Sequence, residues 1–449
     1  MTKTSKHRPA PRSKSTHPPR PRDARAIALD ALIQVLGTGE MVETALAQQS
    51  DFHLLEPRDR GFARALCAHA IRRKGTLDHV YQQFLDHPLS DHANKTRATF
   101  LLASCDLLIL ETPAHAAVDA GVRLMATDPL TRKYKNVANA VLRKVAEFGP
   151  ALLAEADPLL DLPEWLATRW LTFYGEETTR AIIAARSKEP SLDFTLKPEA
   201  DLKDWAERLD AQILPTGSLR RAKSTDVTQL DGFEEGLWWI QDAGAALPVK
   251  ILAPQPGERI ADLCAAPGGK TLQLASLGAE VIALDRSKKR LERVKQNLAR
   301  TGLNAQIVTA DATQWHDDHL FDAILVDAPC SATGTLRKNP EVIWAKSPSD
   351  IETLSAVQAR ILDQAYTLLK PGGRLIYCTC SMEPEEGEDQ ITAFLNRTPD
   401  AKLLPLGIED YPSLGEALHP SGWLRTRPDH WSEYGGIDGF FIARLTKSV

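Results

Sequence analysis

Long apolar runs are missing from this chain. No stretch approaches the ~20 uncharged residues that a membrane-spanning helix requires, which excludes a helical membrane protein. Cysteine is sparse, with six residues (Cys67, Cys105, Cys264, Cys330, Cys378 and Cys380) in 449. They show neither the spacing of a disulfide framework nor a repeated C-x-x-C zinc pattern, so no metal site is expected. Such usage fits a reducing cytoplasm, where thiols stay available for chemistry. A charge excess is absent as well: 54 basic residues face 59 acidic ones, for a net charge of −5. Any nucleic-acid surface must therefore be local rather than global. No repeat of solenoid period is present. The glycine signatures G-x-G-x-x-G and G-x-x-x-x-G-K-[ST] are also missing, which argues against a phosphate-bearing dinucleotide.

The length points to two or three domains with ample core. Residues 1–22 hold seven Lys or Arg, five Pro and no acid. This segment cannot bury a core and reads as a disordered tail, serving either as an arm for nucleic-acid phosphates or as a solubilising extension. Its prolines spoil the amphipathic helix of a transit peptide. Residues 23–150 read as a helical bundle, with Ala26, Leu29, Leu32, Ile33 and Leu36 on one face, Phe62, Leu66 and Ile71 on another, and a dense apolar helix around Leu101 to Leu110. Residues 151–245 read as a linker helix from Pro150 to Asp161, then a small α+β subdomain. Its strands are expected at 191–197 and 236–240, with a helix between them.

From residue 246 to 449, strands and helices alternate, which predicts a parallel sheet with ligand chemistry at its carboxyl edge. Asp262-Leu263-Cys264-Ala265-Ala266-Pro267-Gly268-Gly269-Lys270 joins a strand to a helix start. Small residues there let a ligand approach the backbone, and the helix offers unpaired N–H groups. Three further apolar strands end in or just before acids, at Asp285, Asp311 and Asp327. An acid at such a tip is placed for ribose hydroxyls, and three together point to one nucleoside-containing ligand. A fifth strand ends in Cys378-Thr379-Cys380.

The 262–270 loop, the block Asp327-Ala328-Pro329-Cys330-Ser331 with Thr333-Gly334, and the block Thr379-Cys380-Ser381 resemble the motifs of Sun/Nop-type RNA (cytosine-5)-methyltransferases. The bacterial small-subunit rRNA members are the most similar. The helix Asn136-Val137-Ala138-Asn139-Ala140-Val141-Leu142-Arg143 resembles a hallmark of NusB-like domains, so the likeness covers nearly the whole chain. The resemblance implies a multidomain enzyme: an all-α NusB-like bundle, a small α+β subdomain, and an α/β Rossmann-like class I methyltransferase domain. It implies S-adenosyl-L-methionine as cofactor and rRNA, most readily the 16S type, as substrate, with no obligate protein partner evident. Cys264, Ala265, Ala266, Pro267, Gly268, Gly269 and Lys270 would wrap the methionine end, although Lys270 also reads as an ordinary surface lysine. Asp285 would take the ribose and Asp311 the adenine side, while Asp327 would meet the methionine amine or the cytosine edge. By analogy, Arg72, Arg73, Lys74, Lys133 and Lys135 would contact RNA, and Arg337 and Lys338 would contact substrate phosphate. Lys338, Asn339 and Glu341 depart from the family's usual residues. The tail would close with a β-hairpin turning at Asp438-Gly439.

The chemistry explains the thiols. Carbon 5 of cytosine becomes nucleophilic only after a thiolate adds at carbon 6, and the thiolate must later be expelled. Cys330 and Cys380 both stand at strand tips, and chemistry alone leaves their roles open. The resemblance assigns attack to Cys380 and product release to Cys330. A catalytically idle RNA-binding factor would not need both thiols and three strand-tip acids. A DNA target is disfavoured by the motif order and the helical domain, and a tRNA target by resemblance alone.

Overall fold

The computed structural model describes residues 22–449 apart from 91, 188, 223 and 224. The expectation for the basic tail thus lies outside the described residues except at Arg22, whose guanidinium pairs with Asp30 at 2.5 Å and Asp51 at 3.0 Å.

Among the described residues, seven α-helices form the N-terminal bundle: α1 (Ala24–Thr38), α2 (Val42–Ala47), α3 (Pro57–Arg72), α4 (Lys74–Gln82), α5 (Asn94–Leu108), α6 (Ala114–Thr127) and α7 (Lys135–Glu155). The central helix α5 is buried nearly all round, as its dense apolar sequence requires, and Phe100, Leu101 and Leu102 lie in the bundle core. Helix α7 runs through Pro150, so the segment read as a linker helix begins inside the bundle's last helix. Pro150 is tolerated because it lies on an exposed face, where the carbonyl freed by the missing N–H can meet water. The connection that follows is α8 (Glu164–Arg186), broken at Gly175 (φ 79°).

Next comes a four-stranded antiparallel sheet in the order β2-β3-β1-β4, built from β1 (Leu192–Leu196), β2 (Gln212–Ile213), β3 (Leu219–Arg221) and β4 (Trp238–Ile240). Helix α9 (Leu202–Arg208) packs its Trp205 with Phe194, Leu219 and Trp238.

The catalytic half opens with α10 (Ala243–Leu252), whose N-terminus is capped by Asp242. Then follow β5 (Arg259–Leu263), α11 (Gly269–Ser276), β6 (Glu280–Asp285), α12 (Lys288–Thr301), β7 (Gln306–Thr309), β8 (Phe321–Asp327), α13 (Pro348–Thr367), β9 (Leu369–Thr379), α14 (Glu388–Arg397), β10 (Ala401–Leu403), β11 (Leu424–Arg425) and β12 (Phe441–Lys447). The sheet order is β10-β12-β9-β8-β5-β6-β7, with β11 beside β12. Strands β5 to β9 are mutually parallel, and β12 joins antiparallel to β9. Chain order reverses between β5 and β8, so the ligand crevice belongs at their carboxyl ends. Parallel strands covered on both faces need continuous apolar runs, and Val281 to Leu284 and Ala323 to Val326 are all buried. The tail differs from the expected tight hairpin. Strands β11 and β12 do pair, but Asp438 and Gly439 lie in a long connection that folds back against the catalytic loop.

Candidate active site

Strand β5 delivers the ligand loop. Asp262 is buried within β5 and its Oδ2 accepts from the Thr271 hydroxyl at 2.5 Å, tying strand to helix. Cys264 turns the chain with φ 62°, and Gly268 follows with φ 106°. A Cβ at Gly268 would meet Val294 at 3.1 Å, so this left-handed position also needs glycine for space. Asp285, at the tip of β6, pins the loop by accepting from the Ala266 N–H at 3.3 Å, and Arg290 reaches both Asp285 and the Ala266 carbonyl. Asp311 lies exposed beyond β7 and accepts from the Thr313 N–H at 2.9 Å, which lowers its pKa.

Lys270 is not the surface lysine that its position allowed. It is buried, its Nζ lies 2.7 Å from Asp327 Oδ2, and it sits over the Phe440 ring. Burial, the largest single influence, opposes its charge, but the charge and hydrogen bond of Asp327 together with Cys378 and Asp262 hold the ammonium pKa above its ordinary value.

These residues fit a sulfonium nucleoside. Asp285, Asp311 and Asp327 provide acceptors along one sheet edge for a ribose diol and an ammonium group. The first N–H groups of α11 have no partner inside the helix and suit a carboxylate. Asp262 Oδ1 is a buried acceptor with no protein partner near this loop.

Beside this edge the two thiols meet. Strands β8 and β9 are parallel neighbours with Asp327 opposite Cys378, and the Ala328 N–H extends the ladder to the Cys378 carbonyl. The chain continues on both sides until Cys330 Sγ and Cys380 Sγ lie 3.4 Å apart, both partly exposed. Hydrogen bonding with Cys380, then burial, pushes the Cys330 thiol well above its ordinary pKa and keeps it protonated. Cys378 is buried with Sγ 3.6 Å from Asp327 Oδ1. Cys67 and Cys105 belong to the bundle core, in the role of small hydrophobes. Burial, reinforced by Asp327, pushes the Cys264 thiol up to about 12. Among the described residues, no group of His, Cys, Asp and Glu could hold a metal ion, and no helix is long and apolar enough to cross a membrane.

A buried network locks the two cysteine-bearing segments together, and sequence reasoning did not find it. Glu386 accepts from the Ser331 N–H at 2.9 Å, the Ser331 hydroxyl at 2.5 Å and Gln358 Nε2 at 3.0 Å. The Ser331 hydroxyl also meets Ser381 at 3.1 Å. Glu383 accepts from Trp170 Nε1 at 2.9 Å and Arg169 Nε at 3.0 Å, which brings α8 to the site. In sequence these glutamates stand in an acidic stretch that reads as solvated surface; only their place directly after Thr-Cys-Ser could have marked them.

Several basic residues expected to contact RNA are structural instead. Arg72 is buried and donates to the Arg337 carbonyl at 2.9 Å. Arg73 pairs with Asp161 at 3.0 Å, and Lys74 pairs with Asp78 at 2.8 Å. Arg337 is buried beside Asp438, and Lys338 lies 2.5 Å from Asp242. Except for Lys74, whose partner stands one helical turn on, each is consumed by a partner distant in sequence, which local pattern cannot reveal. Lys133 and Lys135 are exposed.

Comparison with known proteins agrees with this geometry. Residues 249–446 match the family model described as 16S rRNA methyltransferase RsmB/F, and residues 22–147 match the NusB family. The ribosomal RNA small subunit methyltransferase B of Vibrio cholerae is 36% identical over 95% of this chain and 98% of its own. The crystal structure of PH0851 has a TM-score of 0.76 at 25% identity, covering 97% of this chain and 100% of its own. A methyltransferase homologue from Pyrococcus horikoshii has a TM-score of 0.55 at 31% identity, covering 66% of this chain and 99% of its own. The chain therefore belongs to the RsmB/F family of 16S rRNA methyltransferases and is an S-adenosyl-L-methionine-dependent RNA (cytosine-5)-methyltransferase.

Proposed function

We propose that this enzyme methylates a cytosine in an unpaired or flipped-out segment of small-subunit rRNA, with Cys380 as nucleophile, Cys330 as the residue of product release, and Asp327 beside them. The observation that carries the reading is the 3.4 Å approach of the two sulfurs at neighbouring strand tips. A base stacked inside a helix could not reach them. The chain would work in the reducing cytoplasm without an obligate protein partner, using residues 23–150 to help hold RNA and residues 246–449 for catalysis. The small α+β subdomain within 151–245 would pack on the catalytic core and contribute to RNA recognition.

When bound, S-adenosyl-L-methionine supplies an electrophilic methyl group. The backbone of Cys264, Ala265, Ala266, Pro267, Gly268 and Gly269, with Lys270 bracing Asp327, would hold its methionine end. Asp285 would take the ribose diol and Asp311 the adenine side. Cys380, its thiol proton given to water, would form the bond to carbon 6 as the carbon 5–carbon 6 double bond opens, and carbon 5 would use that electron pair to take the methyl group, the sulfur that carried it keeping the broken bond's pair. With Cys380 so engaged, the S–H···S interaction that raised the Cys330 pKa is gone. Cys330 can then give its proton to water and, as thiolate, take the one on carbon 5. The carbon 5–hydrogen pair re-forms the ring double bond, and the carbon 6–sulfur pair leaves with Cys380.

The test uses tritiated S-adenosylmethionine and deproteinised 16S-type rRNA. Wild type is expected to yield labelled 5-methylcytidine, Cys380→Ala no label, and Cys330→Ala a denaturation-resistant protein–RNA adduct. An adduct in Cys380→Ala and none in Cys330→Ala would reverse the roles, and label confined to tRNA would replace the substrate.

A further inference from the structure

The loop between β8 and α13 carries Cys330 at one end and is gripped from outside the catalytic domain. Arg186, the last residue of α8, is 1% exposed and donates to four backbone carbonyls. Its Nη1 meets the Arg72 carbonyl at 2.7 Å and the Asp161 carbonyl at 2.9 Å. Its Nη2 meets the Ile71 carbonyl at 3.3 Å and, across the domain boundary, the Pro340 carbonyl at 3.2 Å. Ile71 and Arg72 end α3, so the guanidinium caps the negative end of that helix with carbonyls that lack intrahelical partners. A planar five-donor fork suits this task, and a lysine could not reproduce it.

Other contacts converge on the same loop. Arg72 Nη2 donates to the Arg337 carbonyl at 2.9 Å, Trp344 Nε1 donates to the Ile71 carbonyl at 3.2 Å, and the Val42 N–H meets Glu341 at 3.4 Å. Leu336 and Ile343 of the loop share an apolar cluster with Trp170, Ile182 and Ile183 of α8, and with Met382, two residues past Cys380. The bundle and α8 thus clamp the loop on one side, while Glu386 holds its start at Ser331 on the other.

We infer that Arg186 is a positioning residue for catalysis: by fixing Pro340 to the end of α3, it lets the helical bundle hold the Cys330 loop in register with Cys380. The bundle is then part of the catalytic geometry and not only a handle for RNA. This inference rests on the cysteine roles proposed above. Loosening the clamp should disturb Cys330 more than Cys380, so the step that slows is release.

The experiment compares full-length wild type, Arg186→Met, Trp344→Phe and Cys330→Ala. For Arg186→Met we expect kcat to fall about tenfold with KM for rRNA changed less than about twofold, as small displacements of a reacting group produce. The same variant, with Cys330 intact, should accumulate denaturation-resistant adduct. Trp344→Phe removes one bond of the clamp, should fold even where Arg186→Met does not, and is expected to shift kcat and adduct in the same direction by less. A lowered melting temperature with unchanged kcat and no adduct would show a merely structural role and overturn the inference, as would a change in KM alone. Absence of adduct in Cys330→Ala would mark failure of the cysteine roles themselves. The split between kcat and KM would then decide on Arg186.

Discussion

Gly334→Ala should damage the active site through a single added methyl. Gly334 lies in the Cys330 loop, where its N–H donates to the Cys380 carbonyl at 2.9 Å and its carbonyl accepts from the Gly439 N–H at 2.8 Å. A Cβ there would stand 2.1 Å from the Gly439 oxygen, 2.7 Å from the Gly439 carbonyl carbon and 2.9 Å from the Cys380 oxygen. All three are backbone atoms, so no side chain can swing aside, and the segments must separate by about 1 Å to reach ordinary contact. Overpacking of this kind costs ~1–3 kcal/mol, and weakening the two bonds adds ~0.5–1.5 kcal/mol each. Displacing Cys380 by about 1 Å can slow chemistry by up to ~100-fold. Methyl transfer from tritiated cofactor should therefore fall by between about 10- and 100-fold, with a lower melting temperature and cofactor affinity little changed. Wild-type turnover and melting temperature would refute the claim that three backbone segments meet at this glycine.

Other perturbations probe separate parts of the site. Lys270→Met leaves Asp327 without its cation and should weaken binding of S-adenosylhomocysteine about tenfold or more by calorimetry; an unchanged affinity would remove the pair from the cofactor site. Glu386→Ala strips the acceptor from Ser331 and Gln358, so unfolding stability should drop by about 2–4 kcal/mol together with turnover; unchanged thermal and urea unfolding would contradict this. Asp262 supplies a pH signature. Burial first, and Asp327 beside it, raise its pKa from the ordinary 3.8 to about 7, against the opposing Thr271 hydrogen bond. The folded chain therefore keeps a proton that the unfolded chain has lost, and this group's contribution to stability declines as pH rises from about 4 to about 7. Asp262→Asn should flatten that decline in cofactor-free melting curves, and parallel curves for the two proteins would count against it.

The parallel sheet was legible because strands buried on both faces must be apolar without interruption, and the loops between them carry their chemistry in order. Helix α12 was equally plain, with Leu291, Val294 and Leu298 spaced on one buried stripe. The cysteine pair was readable to the level of strand tips, since neighbouring parallel strands present their ends together. What escaped was everything that depends on partners far along the chain. Arg72, Arg337 and Lys338 look like surface cations until Asp242, Asp438 and distant backbone carbonyls surround them. Glu383 and Glu386 look solvated until Trp170 and Ser331 donate to them. Pro150 reads as the start of a separate linker helix because proline suits a first turn, whereas the exposed face that lets α7 run through it shows only in the fold.

The most direct test of the two-thiol account is to digest the protein–RNA adduct of Cys330→Ala and identify the modified residue by mass spectrometry. The account predicts a cytosine nucleotide attached to Cys380, in the peptide that continues through Ser381 and Met382. Attachment at Cys264 or Cys378, or an adduct joined through any residue but cysteine, would contradict it.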